Sequence, residues 1–349
     1  MKNIKDDRII IEVKNIKKSF KINKRMNGLP GHIANLFRPK YEIKEAVKDI
    51  DFEIYEGECV GFIGANGAGK STTIKMLSGI LYPDSGEINV MGFVPQRDRK
   101  KYVSNIGVVF GQKSQLAWDL PVIDSLELLK HIYRIPNDVY ENNLKEFIEL
   151  LDMSGFINQP VRQLSLGQRM RADIAASLLH SPRLVFFDEP TIGLDVVAKE
   201  RIREFVRYMN KEKKVTFIFT THDMQDIAKT CERLIIIDKG SKMYDGSVKE
   251  LIGNYGGITK LTLEISDVLV DSKLIEIMRN ALKMQFNDCY FSVEDKKNNY
   301  VEIMYENKNI SAIQITTFLA AKYSIKDFRI SDMDIEEIVR KIYEGGITI

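Results

Sequence analysis

The chain has 349 residues, a nearly balanced net charge of +2 and 44% hydrophobic residues. This length is typical of about two domains, and the small net charge disfavours a dedicated nucleic-acid-binding protein, which usually carries a strong basic excess. The three cysteines are scattered, so neither a zinc site nor a disulfide framework is predicted. No segment approaches the ~18 apolar residues of a membrane-spanning helix, and no signal peptide is expected. The pattern predicts a cytoplasmic chain whose membrane contact would go through a partner or a surface patch.

A long polar segment separates the first two predicted strands. Residues 9–20, "IIIEVKNIKKSF", and the stretch "AVKDIDFEI" that begins at Ala46 both alternate apolar with polar residues, which predicts β-strands. Residues 21–45 between them are rich in Lys, Arg, Asn, Gly and Pro and predict an insertion loop. This loop is interpreted either as solvated or as a basic segment that touches anionic lipid or a membrane partner.

A glycine-rich stretch, "GFIGANGAGKSTT", spans residues 61–73. Residues 64–71 match GxxxxGK[ST] between a buried strand and a helix, the context in which this motif binds nucleotide phosphates. Glycines let backbone N–H groups approach the phosphates, and the helix N-terminus adds positive potential. Lys70 is predicted to reach the β- and γ-phosphates, and the Ser71 hydroxyl to bind Mg²⁺. The predicted nucleotide-binding residues of this stretch are Gly64, Ala65, Asn66, Gly67, Ala68, Gly69, Lys70, Ser71 and Thr72.

The stretch "LVFFDE" supplies two acidic residues at the end of a second buried strand. An Asp at the carboxyl end of a central strand lies beside the phosphate loop, so Asp188 is predicted to be the second anchor of Mg²⁺. Glu189 is then placed to orient or deprotonate an attacking water, which a nucleotide hydrolase requires.

The remaining segments predict an α/β fold followed by a smaller domain. Residues 113–165 are predicted to be mostly helical, and "VTFIFTT" and "RLIIID" are further buried strands with helices between them, which indicates a largely parallel sheet. After residue 257 two alternating segments and two amphipathic helices indicate a separate α+β domain, with β-α-β-β-α-β order and a terminal helix. The predicted boundaries are 1–254 and 255–349.

Three motifs identify a family. The stretch "LSLGQRMR" (164–171), then "LVFFDEPTIGLD" (184–195), then "TTHD" (220–223) resemble the ATP-binding cassette (ABC) family in order and spacing. The resemblance covers roughly residues 10–251 and is greatest to the ATPase subunits of bacterial ABC-2-type exporters. It implies a P-loop NTPase cassette with a parallel-sheet core, an antiparallel β subdomain and a helical subdomain over 113–165, followed by a small accessory domain.

The resemblance also implies site residues beyond the phosphate loop. Ser165, Gly167 and Gln168 would form the signature loop, which in this family caps the γ-phosphate of ATP held by the opposite subunit. Asp195 matches the D-loop, which passes between the two sites. Leu166 stands where the family commonly has a glycine, so turnover is expected to differ while the loop still works.

Two polar residues would complete the catalytic set. His222 matches the switch histidine, which contacts the γ-phosphate and the attacking water. Gln112 matches the Q-loop glutamine, which senses Mg²⁺ and joins the cassette to the membrane subunit; the count from downstream residues favours it over Gln115. The adenine-stacking aromatic is Phe20 when read from the N-terminal side and Tyr41 when read across the insertion, with Phe20 preferred because it ends the strand.

The predicted function is that of the ATP-hydrolysing subunit of an ABC exporter. Two cassettes, expected to be a homodimer, would bind two Mg-ATP and drive a separate integral membrane permease, which keeps the chain on the inner face of the membrane. No nucleic acid is expected as a partner. The alternative is an ABC ATPase without a permease that acts on DNA or ribosomes; the ordinary separation of Lys70 from Ser165 and the single cassette argue against it.

Overall fold

The computed structural model describes residues 8–23, 41–111, 113–221, 223–255, 258–266, 269–286, 289, 291–296, 299–306, 310–332 and 335–343. The chain forms two compact units that divide between Val248 and Lys249. The sequence-based boundary, after residue 254, falls instead inside the helix Val248–Tyr255. This helix begins at the end of the strand Ser241–Ser247, so the chain changes unit at a strand-to-helix junction.

A six-stranded sheet forms the centre of the first unit. The strands are β3 Cys59–Gly64, β5 Ile106–Phe110, β6 Leu184–Asp188, β7 Thr216–Thr221, β8 Arg233–Asp238 and β9 Ser241–Ser247. Their order in the sheet is β5-β6-β7-β3-β8-β9, and neighbouring strands are parallel except β8 and β9. The inner strands are apolar runs because helices cover both faces of a parallel sheet. The predicted parallel core is confirmed.

A three-stranded antiparallel sheet of order β2-β1-β4 lies in the same unit, formed by β1 Ile9–Asn23, β2 Tyr41–Tyr55 and β4 Ser85–Val90. Here the prediction of a loop over residues 21–45 was wrong at both ends. Residues 21–23 and 41–45 extend the strands as a ribbon, with Lys21 opposite Ile43 and Asn23 opposite Tyr41. Cross-strand pairing organises this polar stretch, whose composition alone indicates a loop. Residues 24–40 lie outside the described part of the chain.

Helices complete the first unit and begin the second. The segment 113–165 contains two amphipathic helices, as predicted, and a short 3₁₀ turn at Val161–Gln163. Among the described residues no helix is both long and apolar enough to cross a membrane. The helices are α1 Lys70–Leu77, α2 Arg99–Val103, α3 Val122–Tyr133, α4 Asn137–Leu150, α5 Leu166–Leu178, α6 Val196–Lys213, α7 Met224–Thr230 and α8 Val248–Tyr255.

The second unit has its own sheet and core. Its strands β10 Ile258–Ile265, β11 Phe291–Asp295, β12 Tyr300–Glu306 and β13 Ile325–Asp332 form an antiparallel sheet of order β11-β12-β10-β13. The helices α9 Ser272–Gln285, α10 Ala312–Ala320 and α11 Ile335–Tyr343 accompany them. The predicted β-α-β-β-α-β order with a terminal helix is confirmed. Apolar residues of α9, α10 and one sheet face form a core that includes Leu263, Met278 and Ile315.

Candidate functional site

The phosphate loop joins the buried strand β3 to helix α1, and two of its glycines are sterically required. A Cβ on Gly64 would lie 2.7 Å from the carbonyl oxygen of Ile237, and one on Gly69 would lie 2.5 Å from that of Ala46. Gly69 also has φ 110°, a backbone conformation that residues with a side chain rarely adopt. The loop is therefore closely packed against both β8 and β2, with its N–H groups at the start of a helix.

Lys70 is the first residue of α1 and is buried, with 5% of its surface exposed. Its ammonium donates to the carbonyl oxygens of Gly64 at 2.6 Å and Ala65 at 3.2 Å. Burial lowers the pKa of Lys70, and the carboxylates of Glu189 and Asp188 oppose this shift. The side chain thus lies folded along the phosphate loop as a desolvated cation, which is suited to bind a polyanion.

Three oxygens meet at the carboxyl end of the sheet. The Ser71 hydroxyl donates to Asp188 Oδ1 at 3.0 Å, and the Thr220 hydroxyl donates to the same oxygen at 2.6 Å. Two hard oxygen ligands about 3 Å apart fit adjacent positions in the octahedral shell of Mg²⁺, whose ligand distances are about 2.0–2.1 Å. Two of the three residues predicted to hold Mg²⁺, Ser71 and Asp188, are therefore brought together with suitable chemistry, and the third, Gln112, lies outside the described residues. The sequence analysis missed Thr220, although it lies one residue before the end of β7 and pairs with Asp188.

Glu189 follows β6 in a left-handed conformation, with φ 56°. Its N–H donates to the Thr220 carbonyl oxygen at 3.0 Å, which fixes this turn against β7. A Cβ on Gly111 would lie 2.3 Å from the carbonyl oxygen of Glu189, so the end of β5 packs directly on the backbone of the turn. A non-glycine residue with positive φ at a strand end is uncommon and is a mark of functional sites.

Two predicted catalytic residues, Gln112 and His222, lie outside the described residues, and their flanks are well anchored. The N–H of Gly111 donates to the Asp188 carbonyl oxygen at 2.8 Å. The N–H of Asp223 donates to Thr221 Oγ1 at 2.9 Å. Both predicted positions therefore adjoin segments fixed to the sheet edge that carries Asp188.

An ionic network on α6 and α7 supports the segment after position 222. The Lys199 ammonium lies 2.5 Å from Asp223 Oδ2 and 3.5 Å from Asp226 Oδ2. Arg203 donates to Asp226 Oδ1 at 2.5 Å, and both residues are buried. The sequence analysis missed this network, whose acidic residues Asp223 and Asp226 lie outside the helix that carries Lys199 and Arg203.

The predicted signature loop forms the start of α5. Ser165 and Gln168 make a capping box: the Ser165 hydroxyl accepts the Gln168 N–H at 3.2 Å, and the Gln168 side chain accepts the Ser165 N–H at 2.9 Å. A Cβ on Gly167 would lie 3.1 Å from Ala198 Cβ, which places the loop against the start of α6. Asp195 is the N-cap of α6 and accepts the Ala198 N–H at 2.8 Å. The predicted signature and D-loop residues therefore adjoin each other.

Asp173 connects α5 with the segment after position 112. Its buried carboxylate accepts the Ser114 hydroxyl at 2.9 Å and the Gln115 N–H at 3.0 Å. Burial raises the pKa of Asp173 to about 6, opposed by these hydrogen bonds and by Arg169. The Gln115 side chain donates to the Asp173 carbonyl oxygen at 3.1 Å, so this glutamine is held by α5. The sequence analysis missed Asp173, a polar residue within an apolar helix face.

The two aromatic residues considered for adenine stacking lie on the extended β1–β2 ribbon. Lys18 pairs with Val47, whose Cγ2 would lie 3.4 Å from a Cβ on Gly69, so this face of the ribbon is turned toward the phosphate loop. The Lys18 ammonium lies 5.8 Å from the centre of the Phe20 ring, so Phe20 shares that face. Tyr41 pairs with Asn23, three residues beyond Phe20, and strand alternation puts it on the opposite face. The geometry favours Phe20.

Comparisons with known proteins show which family the chain resembles. The family model described as ABC transporter matches residues 47–192. The ABC transporter ATP-binding protein NatA of Bacillus subtilis is 32% identical over 62% of this chain and 87% of its own length. The linearmycin resistance ATP-binding protein LnrL of Bacillus subtilis is 34% identical, over 67% of this chain and 75% of its own length.

A solved structure shows the same fold. A dimeric ATP-binding cassette in a post-hydrolysis state with ADP and Pi superposes with a TM-score of 0.58 at 26% identity, over 68% of this chain and 98% of that one. The match extends to nearly all of that cassette, which agrees with the predicted fold class. The chain belongs to the ABC transporter family, as an ATP-binding subunit with ATPase activity.

Proposed function

We propose that this chain hydrolyses Mg-ATP as one half of a cassette homodimer and drives a separate membrane permease from the inner face of the membrane. One observation carries the catalytic part of the proposal. Ser71, Thr220 and Asp188 share hydrogen bonds at the end of the sheet, and Glu189 follows at the next position. The name of LnrL, a resistance protein, favours export as the direction of transport.

The chain's own residues would bind and orient the triphosphate. Lys70 would exchange its two carbonyl partners for phosphate oxygens, and the N–H groups of the loop before α1 would bind the β-phosphate. Ser71 and Asp188 would hold Mg²⁺, which supplies charge neutralisation to the phosphates when bound. Phe20 would stack on the adenine ring, since it shares the ribbon face turned toward the loop.

Glu189 would hold and deprotonate the attacking water. Its left-handed backbone and the hydrogen bond from its N–H to Thr220 fix the residue next to the Asp188 carboxylate. The proton would leave the water for the Glu189 carboxylate as the water oxygen attacks the γ-phosphorus, and the bond from the γ-phosphorus to the bridging β-phosphate oxygen would break. Gln112 and His222 are proposed to contact the Mg²⁺ and the γ-phosphate.

Exposed apolar side chains support a cassette dimer. Leu166 at the start of α5 is 38% exposed, and Val196 and Val197 at the start of α6 are 77% and 72% exposed. These residues adjoin Ser165 and Asp195, which the proposal places against the nucleotide of the second copy. Covering apolar surface at the place where the partner's ATP would bind couples association to nucleotide binding.

The test separates catalysis from binding. Glu189→Gln should retain Mg-ATP binding and lose hydrolysis by roughly 10²–10⁴-fold, because an amide cannot accept the proton. Lys70→Ala should instead weaken nucleotide binding itself. Glu141→Gln, an exposed change on α4, is the matched control and should leave both unchanged. Steady hydrolysis near the wild-type rate in Glu189→Gln would contradict the assignment of the base.

The association and the permease need their own measurements. The Glu189→Gln chain should dimerise with Mg-ATP in sedimentation experiments, and a monomer at every ATP concentration would contradict the cassette homodimer. Co-purification tests for the permease: a polytopic membrane protein should co-purify with the tagged chain from detergent-solubilised membranes. In vesicles whose cassettes face the outer solution, ATP added outside should drive cargo into the lumen, and ATP-dependent loss of cargo from the lumen would reverse the proposed direction.

A further inference from the structure

The second unit ends its sheet with an edge strand that exposes apolar side chains on its core face. In β13, Phe328 pairs with Leu263 and Ile330 pairs with Leu261. Paired residues of an antiparallel ladder share a face, and both leucines are fully buried in the core of the unit. Phe328 and Ile330 nevertheless are 50% and 48% exposed. The helices therefore leave the β13 edge of the core face uncovered.

At the opposite edge of the same sheet, formed by β11, the core-facing side chains are buried. In β11 the core-facing residues Phe291 and Val293 are 3% and 0% exposed. In the part of the chain that the structure describes, β13 pairs with β10 alone and β11 with β12 alone. The two edges are thus alike in hydrogen bonding but only β13 leaves apolar residues of the core face uncovered. Such an edge is a template for pairing with another strand.

The charges of β13 indicate which strand would pair with this edge. Consider two copies of "IKDFRISD" (325–332) paired antiparallel about a two-fold axis through Phe328. This register places Asp327 of each copy opposite Arg329 of the other, so two ion pairs form by symmetry. Among the described residues, neither Asp327 nor Arg329 forms a salt bridge of its own, and the nearby cation Lys326, whose pKa Asp327 helps to raise, is bound mainly by Glu264. A strand that complements its own charges in one register fits a second copy of itself.

Local hydrogen bonds agree with this register. The Asp327 carboxylate accepts the Phe328 N–H at 2.8 Å, a bond within two adjacent residues. Pairing about Phe328 would give this N–H a carbonyl of the second copy and release the carboxylate for Arg329. Lys326, which could otherwise protect the edge, is bound to Glu264 Oε1 at 2.6 Å.

We propose that β13 is an association surface for a second copy of this chain, joining two C-terminal units into one continuous sheet across a two-fold axis at Phe328. The two Phe328 rings would meet on the core face, with Ile330 beside them, and the ion pairs would lie on the opposite face of the sheet. The contact needs no nucleotide. It goes beyond the proposed function, since it joins the chains outside the cassette and would keep two cassettes near each other between cycles of ATP binding.

Charge exchange tests the register. In sedimentation equilibrium of the full chain without nucleotide and with EDTA, Arg329→Asp should weaken self-association roughly tenfold or more, because two attractive cross-strand pairs become repulsive. Asp327→Arg alone should do the same. The double variant Asp327→Arg with Arg329→Asp should restore wild-type association, which neither misfolding nor a purely structural role would produce. Glu276→Arg, an exposed change on α9, is the matched control and should have no effect.

Cysteine cross-linking tests the axis. At the axis, Phe328→Cys brings two sulfurs together, since the Cα atoms of an antiparallel pair lie about 4.5–5.5 Å apart and a disulfide spans about 4.4–6.8 Å. Ile330→Cys is the control, because it lies two residues from the axis on each strand and roughly 14 Å from its own copy. Wild-type chain oxidised in parallel reports any cross-link through Cys289, which is partly exposed.

The outcomes are distinct. Nucleotide-free association that the single charge changes weaken and the double change restores, with cross-linking at position 328 above that at 330, supports the proposal. A wild-type chain that stays monomeric without nucleotide, or association that ignores these charges, overturns it. If the double variant Glu189→Gln with Arg329→Asp stays monomeric at every Mg-ATP concentration while the nucleotide-free contact of the wild-type chain persists, the cassette homodimer fails and the β13 contact stands.

Discussion

Replacing Asp173 by Asn should stabilise the cassette at neutral pH. The structure holds this carboxylate 4% exposed between α5 and residues 114–115. Burial raises its pKa from 3.8 to about 6, so the ionised form is disfavoured in the folded state. About two pKa units correspond to about 3 kcal/mol of folding free energy that the ionised group costs at pH 7.5. The amide carries no charge and avoids this cost.

Part of the gain is lost again in hydrogen bonding. The Asn oxygen can still accept from Ser114 and Gln115, but the Asn NH₂ group replaces a buried carboxylate oxygen and cannot accept a hydrogen bond, which costs about 1–2 kcal/mol. The net expectation is a free energy of unfolding higher by about 1–2 kcal/mol at pH 7.5. In a unit of this size that raises the melting temperature by roughly 2–8 °C.

The pH dependence distinguishes this cause from others. Because the folded pKa is raised, wild-type Asp173 binds a proton more readily in the folded state, and its contribution to stability improves as pH falls from about 7 to 4. The Asn variant lacks this improvement, so its advantage should shrink over that window and vanish near pH 4. Urea unfolding at several pH values measures it, with Glu141→Gln as the exposed control. A variant less stable than wild type at pH 7.5, or a difference independent of pH, would refute the reasoning.

Two further changes probe the loop and its support. Gly69→Ala should abolish most nucleotide binding in a titration and cost about 1–3 kcal/mol in unfolding, because its Cβ would lie 2.5 Å from a carbonyl oxygen at positive φ; Gly67→Ala, with open space around it, should do less. Asp226→Ala should lower the free energy of unfolding by about 1–3 kcal/mol, since it removes the buried acceptor of one Arg203 N–H and leaves that guanidinium paired with Glu200 alone. The exposed Glu204→Ala should cost under about 1 kcal/mol, and equal losses in the two variants would contradict this explanation.

The sequence predicts this site best where local chemistry dictates the backbone. The phosphate loop could be located because it requires glycines at fixed spacing, where a Cβ would clash with neighbouring backbone. The contacts of Gly64 and Gly69 confirm this requirement. The strand ends carrying Asp188 and Thr220 come together because parallel strands share one edge, and only the first was predicted. Apolar periodicity sufficed for the order of elements in the second unit.

What sequence reasoning missed depends on long-range pairing. The ribbon at residues 21–23 and 41–45 reads as loop because no local pattern reveals a partner across an intervening segment. The hydrogen bonds of Asp173 to residues 114–115 and the ion pair of Arg203 with Asp226 join parts of the chain far apart in sequence. A polar residue on an apolar helix face signals that such a partner exists but does not name it.

The arrangement of α5 and α6 bears on how two copies could influence each other. Each helix begins with a predicted partner-facing residue, Ser165 in α5 and Asp195 in α6. Each is also bonded farther along to a segment beside the chain's own site: Asp173 to Ser114, and Lys199 to Asp223. A helix transmits displacement as a rigid body over these short distances better than a loop does. If these residues have the proposed roles, nucleotide bound to the second copy would shift the start of α5 or α6. The hydrogen bonds of Asp173 and Lys199 would carry that shift to the segments beside positions 112 and 222. Cooperative hydrolysis would require such a physical link.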